Sequence, residues 1–268
     1  MLYEAKGIVL HKTAIADNKA VYQVYTAEEG LRSYMTFTSL RKEKKGQWMK
    51  MQPLSIVGLK AERKREEGID YLKAVDLEYA STAASYDWLK SSVRMFLNEA
   101  LYKILQTTPA DEGLFQFIRE ALCAFDVREF APDFHLRFLW QLTAYLGCEP
   151  VCDRSEEKLF FQVEKAQFQP FRTGVGEEVS AWIPRMLREP LFPREPLFPQ
   201  ELSSMRAVPS PDEAHSPITG LPPQKNVAVL PAALRSEMLQ CLLDYYSFHV
   251  TQAMGSMQSH LILKDILR

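Results

Sequence analysis

The hydrophobic positions fall into two regimes. Over the first 80 residues they come in short runs rich in β-branched and aromatic side chains, separated by turn residues. Lys6-Gly7-Ile8-Val9-Leu10-His11 is one run and Ala20-Val21-Tyr22-Gln23-Val24-Tyr25-Thr26 a second. Ala27-Glu28-Glu29-Gly30 has turn chemistry and leads into Leu31 to Thr38; Pro53 to Leu59 and Ile69 to Tyr79 supply two more runs. Five short strands without a helical period predict a small barrel of the OB type, since a sandwich usually needs seven or more.

From Ser85 the period becomes helical. Tyr86, Leu89, Val93, Phe96, Leu97, Ala100, Leu101 and Ile104 recur at steps of three and four, with Ser85 and Asp87 as caps and Pro109 as the stop. A second helix is predicted over Leu114 to Phe125, a third from Pro132 to Gly147, and a fourth opened by Pro231. Between Cys148 and Leu230 the reading is irregular: a short hairpin at Leu159–Val163 and Gln167-Phe168, then prolines from Pro184 to Pro223 that break any long element. There Arg188-Glu189-Pro190-Leu191-Phe192-Pro193 is repeated at once as Arg194-Glu195-Pro196-Leu197-Phe198-Pro199, which reads as a duplicated linker segment or a docking motif. The expected architecture is α+β: an N-terminal OB-type β-barrel over residues 1–80, then an α-helical bundle domain over 81–268 with an irregular proline-rich insertion at about 148–230.

Composition narrows the class. The chain has 268 residues, 47% of them hydrophobic, enough for real cores. No targeting segment and no long uncharged apolar stretch is visible, and the four cysteines suit free thiols in a reducing cytosol, so a cytoplasmic protein is expected. The net charge is −2, so any affinity for nucleic acid must come from local charge. From Arg32 to Arg65 there are ten basic residues against Glu43 and Glu62. Arg41, Lys42, Lys44, Lys45 and Lys50 lie between two predicted strands, with Tyr34, Phe37 and Trp48 near them. Barrels that bind single strands combine such a basic groove with stacking rings, which makes these five the candidate DNA-binding residues. The competing reading is a solvated turn that keeps an edge soluble.

Other chemistry has less behind it. Cys148 and Cys152 form a single pair where a structural zinc needs four soft ligands, so no metal and no cofactor is expected. Phosphate-loop, nucleophile-elbow, dinucleotide and zincin motifs are absent, so no catalytic residues are assigned. Asp244 and His249 fall on different helix faces, and His249 reads as a packing residue. In the third helix Arg137, flanked by Phe134, Phe138 and Trp140 taken as exposed rings, could socket a peptide ending in an aromatic and a carboxylate; a plain surface arginine is the alternative.

Several stretches together resemble one family. Lys6 to His11, Val24 to Tyr34, the Arg41-rich segment ending in Gln52-Pro53-Leu54, Phe138 to Gly147, and Leu243 to His249 followed by Ser259 to Leu267 are similar, in order and spacing, to RecO-type recombination mediators. The resemblance implies an OB barrel, a helical bundle and no enzymatic activity. It implies binding of single- and double-stranded DNA, strand annealing, docking of the acidic, phenylalanine-ended tail of single-stranded DNA-binding protein (SSB), pairing with RecR, and indirect help in loading RecA. By position, Arg41 and Lys44 match basic residues of the family's barrel and Arg137 an arginine associated with the SSB tail. The chain departs from many relatives in lacking a four-cysteine zinc module, and its 184–223 stretch has no counterpart. The rival expectation is a protein-interaction adaptor whose barrel is purely structural.

Overall fold

A computed structural model of the chain describes residues 1–16, 19–37, 50–64, 68–81, 87–172, 174–191 and 228–266. Strands β1 (Leu2–Ala16), β2 (Lys19–Thr26), β3 (Gly30–Phe37), β4 (Ile56–Glu62) and β5 (Asp70–Tyr79) close into a barrel in the order β1-β2-β3-β5-β4. Every neighbouring pair is antiparallel except β3 with β5, where Tyr34 lies opposite Asp70 and Met35 opposite Tyr71. One parallel closure in an otherwise antiparallel five-stranded barrel is the OB arrangement.

Inward-facing Val9, Tyr22, Val24, Tyr34, Val57, Leu59 and Val75 fill the barrel. The run Ala20–Thr26 is apolar without strict alternation because β2 is covered on both sides. Tyr22 and Val24 face the interior, while the Tyr25 ring stacks on Phe115 at 6.5 Å. Phe115 belongs to α2 (Glu112–Val127), whose first turn is capped by Asp111 Oδ1 accepting from Leu114 N at 2.6 Å. The turn from β2 to β3 ends on Gly30 at φ +70, where an added Cβ would lie 3.2 Å from the Ala110 nitrogen, so both dihedral and space require glycine.

Two strand boundaries differ from expectation. β1 is 15 residues long: Leu2–Ile8 pair with β4, whereas 11–16 pair only with β2 and are exposed, which hid them from a search for buried runs. β4 begins at Ile56 instead of Pro53, because Leu54 adopts a left-handed φ of 61 and donates its N–H to Val9 O.

The compact units do not divide at residue 80. Residues 1–87 group with 105–127, so α2 belongs with the barrel, and Tyr79 Oη donates to Asp126 within that unit. The second unit contains α1 (Trp88–Ile104), α3 (Phe134–Tyr145), the hairpin β6 (Phe160–Gln162) and β7 (Gln167–Gln169), α4 (Glu177–Arg188), α5 (Ala232–His249), a 3-10 turn (Gln252–Ser256) and α6 (Ser259–Ile266). The hairpin serves its core. Phe161 meets Trp140 at 5.9 Å and Phe168 at 5.4 Å, and Trp140 meets Tyr245 at 5.3 Å. Gly147, at φ +70, ends the α3 region as expected of a C′ glycine.

Helix α4 corrects the expectation of an irregular 148–230. Pro184 sits inside it, its missing N–H leaving the Ser180 carbonyl without the usual helical donor. The helix holds because Val179, Ser180, Ile183 and Met186 make one buried face, and acidic Glu177 and Glu178 with basic Arg185 and Arg188 suit its dipole.

Candidate nucleic-acid interface

Strand pairing decides which barrel cations face outward with charge to spare. Asp70, 1% exposed at the start of β5, accepts from Tyr3 Oη at 2.5 Å, Arg32 at 3.1 Å and Arg63 at 3.3 Å. Glu29 takes a further contact from each arginine, 3.2 Å from Arg32 and 2.5 Å from Arg63, and the Arg63 guanidinium lies 4.7 Å over the Tyr3 ring. Burial alone would raise the Asp70 carboxyl; the Tyr3 hydroxyl and the two guanidiniums outweigh it and hold it below its ordinary range. The same carboxylates raise Arg63 further, and burial together with Asp70 raises Tyr3. This cluster locks the parallel β3–β5 closure.

On the outer face of β1, β4 and β5 a groove of about 430 Å³ is lined by Glu4, Lys6, Glu28, Lys60, Asp76 and Glu78 among others. Lys6 pairs with Glu78 at 3.2 Å and Lys60 with Glu4 at 2.8 Å, leaving two of the four carboxylates without a lysine of the groove. Phosphates are disfavoured there. Elsewhere Lys12 lies 5.6 Å over Tyr22 and Lys64 4.4 Å over Tyr71.

Of the five candidate DNA-binding residues, Arg41, Lys42, Lys44 and Lys45 lie outside the described residues. Lys50 is half-buried in the turn just before Met51, whose side chain is 3% exposed and part of the barrel core. Lys50 therefore directly precedes a residue of the barrel core. Tyr34 is 1% exposed and packs inward, so it offers no ring to a base, contrary to its expected place beside the charge. The lysine–tyrosine pair Lys64–Tyr71 was missed; the alternation of β5, with Tyr71 beside buried Asp70 and Leu72, is the signal that would have found it.

Arg137 is placed differently from a surface socket. It is 4% exposed, with Nε donating to Asp133 at 3.1 Å, Nη1 to Glu189 at 3.1 Å, and Nη2 to the Ala228 carbonyl. Phe134, Phe138 and Trp140 are buried as well, because every residue of α3 from Phe134 to Trp140 is enclosed by its neighbours. His249 is a packing residue as expected, its Nε2 2.7 Å from Val163 O and its ring 4.4 Å from Tyr245. Cys148 and Cys152 are half-buried free thiols, both raised by burial. Among the described residues, no group of three or more His, Cys, Asp or Glu could hold a metal ion, and no helix is long and apolar enough to cross a membrane.

Comparison with known proteins agrees with this barrel. Residues 1–80 match the family model described as Recombination protein O N terminal. The DNA repair protein RecO of Flavobacterium johnsoniae is 30% identical over 175 residues, 65% of this chain and 73% of that protein. RecO of Phocaeicola vulgatus is 29% identical over 174 residues, 64% and 72% of the two chains, and that of Flavobacterium psychrophilum 27% over 172, again 64% and 72%. The chain belongs to the RecO family of DNA repair proteins.

Proposed function

We propose that this chain is a non-enzymatic recombination mediator whose barrel holds single- and double-stranded DNA through Arg41, Lys42, Lys44, Lys45 and Lys50. The observation that carries this reading is the distribution of charge on the OB barrel. Its β1–β4–β5 face is acidic, while Lys50, the last cation of the basic Arg41–Lys50 sequence, directly precedes the core residue Met51. Cations that neutralise phosphates on two strands reduce their mutual repulsion and so favour annealing. The helical unit takes the SSB tail near Arg137, RecR pairs with the chain, and RecA is loaded as SSB loosens. A tail carboxylate reaching Arg137 has to replace Glu189, 34% exposed, since the other carboxylate there, Asp133, is 2% exposed. The protein works in the cytoplasm, nucleoid-associated when on DNA.

The test is fluorescence anisotropy of a labelled single strand across a salt series. The native chain is run beside a folded variant carrying Arg41→Ala, Lys42→Ala, Lys44→Ala and Lys45→Ala. With a log–log slope of about −0.7 per phosphate contact, loss of three or four contacts flattens it by roughly 2–3 units. Tight binding with an unchanged slope moves the site off this connection. No binding at low salt replaces the reading by the adaptor with a structural barrel.

A further inference from the structure

Helix α1 buries one face and exposes another. Val93, Phe96, Leu97, Ala100 and Ile104 are fully buried in the helical unit. On the far side Trp88 is 64% exposed and Met95 46%, large apolar side chains that the core did not take. Trp88, Met95 and half-buried Tyr102 follow at steps of seven, so they form one line about 21 Å long. Ser91, Ser92, Asn98 and Glu99 flank that line, all half-buried. Single apolar residues on a surface are ordinary, but an aligned series along one helix face marks a place where another surface fits.

The stripe is complementary to itself. A two-fold axis through Met95, perpendicular to the helix, sets each residue opposite the one equally far on the other side of Met95. Trp88 then meets Tyr102, Ser92 meets Asn98 and Ser91 meets Glu99, each pair twice. Rings pack at both ends, and the small serines between them let the two helices approach closely. Just beyond the rings, Asp87 of one copy falls opposite Lys103 of the other, again twice. Lys103 Nζ meanwhile donates to Ser256 Oγ at 2.9 Å, an exposed bond that it can exchange for a carboxylate. Glu99 is turned to the start of α6, where it accepts from Ser259 N at 2.9 Å, and so brings no like charge to the seam. Parallel pairing would set Asp87 against Asp87 and Lys103 against Lys103, so charge selects the antiparallel arrangement. A net charge of −2 puts little long-range repulsion between copies.

We propose that the exposed face of α1 is a self-association surface, on which a second copy of this chain docks its own α1 antiparallel, with Met95 at the two-fold axis. The two stripes are small, so the buried area lies at or below about 1,200 Å², the low end for specific complexes, and the dimer is a transient one. No candidate DNA-binding residue and no partner of Arg137 takes part, so the pairing holds or fails independently of the function proposed above.

Sedimentation velocity of the full chain without DNA, from about 5 to about 500 µM, reads the association directly. The expected result is a reversible monomer–dimer equilibrium within that range. Met95→Glu sets two carboxylates face to face on the axis, and Trp88→Ala removes a ring from each end. Each weakens association by about tenfold or more and leaves thermal unfolding near native, because both side chains are exposed. Asp87→Lys and Lys103→Asp each weaken self-association as well. An equimolar mixture of those two variants forms a mixed dimer more tightly than either variant pairs with itself, since opposite charges then meet at both ends. A chain that stays monomeric up to about 500 µM overturns the proposal, as does a dimer indifferent to both Met95→Glu and Trp88→Ala. A mixture no tighter than the separate variants overturns the antiparallel register, and species that keep growing with concentration overturn the closed pair.

Discussion

Asp70 and Arg137 show how a buried charge constrains what a single substitution can report. Asp70→Asn leaves Glu29 as the one carboxylate shared by Arg32 and Arg63 in this cluster, and removal of a charged partner from a buried ionic cluster costs about 3 kcal/mol, measurable by urea unfolding at pH 7. The pH dependence has a definite sign. Because the folded carboxyl titrates below its unfolded value of about 3.9, its contribution is complete above that value and is lost as pH falls through the lower folded one. The native chain therefore loses stability below about pH 4 more steeply than Asp70→Asn does. At Arg137, substitution by alanine takes the guanidinium from the Asp133 carboxylate, 2% exposed, leaving it the Leu230 N–H, and the expected loss is about 3 kcal/mol, so weakened binding of a tail peptide by that variant confounds folding with docking. Glu189→Gln is the better probe. It costs less than about 1 kcal/mol because Glu189 is partly solvated, and it replaces the competing carboxylate on one guanidinium arm by a neutral, weaker acceptor. If the SSB tail docks on Arg137, its affinity rises in this variant; an unchanged or lower affinity in calorimetry moves the docking site.

At the scale of elements, legibility followed the source of stability. The strands of the barrel and helices α1, α2, α3 and α5 were readable because their apolar positions carry the period themselves. Helix α4 was hidden by Pro184, although its buried face and terminal charges follow the ordinary rules. Helix α6 is hidden for another reason: at eight residues it is too short to be stable by propensity and is held from outside. Glu99, on α1, accepts from Gln258 N, Ser259 N and Ser259 Oγ, acting as an N-cap 160 residues away in sequence. Burial would raise this carboxyl, but the Ser259 and Gln258 donors and Lys103 hold it low. Glu99→Ala is expected to cost about 1–2 kcal/mol and to speed amide exchange through α6 while the barrel amides keep their protection. Uniform loss of protection across the chain would show instead that α6 and the rest open together.

Across the whole molecule the charge pattern was legible only in part, because a window along the sequence cannot see partners brought in by strand pairing. The surplus of eight cations between Arg32 and Arg65 includes Arg32, Lys60 and Arg63, whose carboxylates Glu29, Asp70 and Glu4 all fall outside that window. With a net charge of only −2, the field on DNA is set by the cations that remain unneutralised, and these differ in kind. Lys50 lies half-buried in a turn; Arg63 is locked between Glu29 and Asp70. If phosphate binding works through unneutralised charge, Lys50→Ala flattens the salt dependence of single-strand binding by about 0.7, one contact, and leaves stability almost unchanged. Arg63→Ala does the reverse: the slope stays, because that guanidinium released no counterion from the strand, while urea unfolding shifts to lower midpoint as Asp70 loses a donor. Equal flattening by both variants would mean that DNA pulls Arg63 out of its cluster, so that binding and the β3–β5 closure compete for the same side chain.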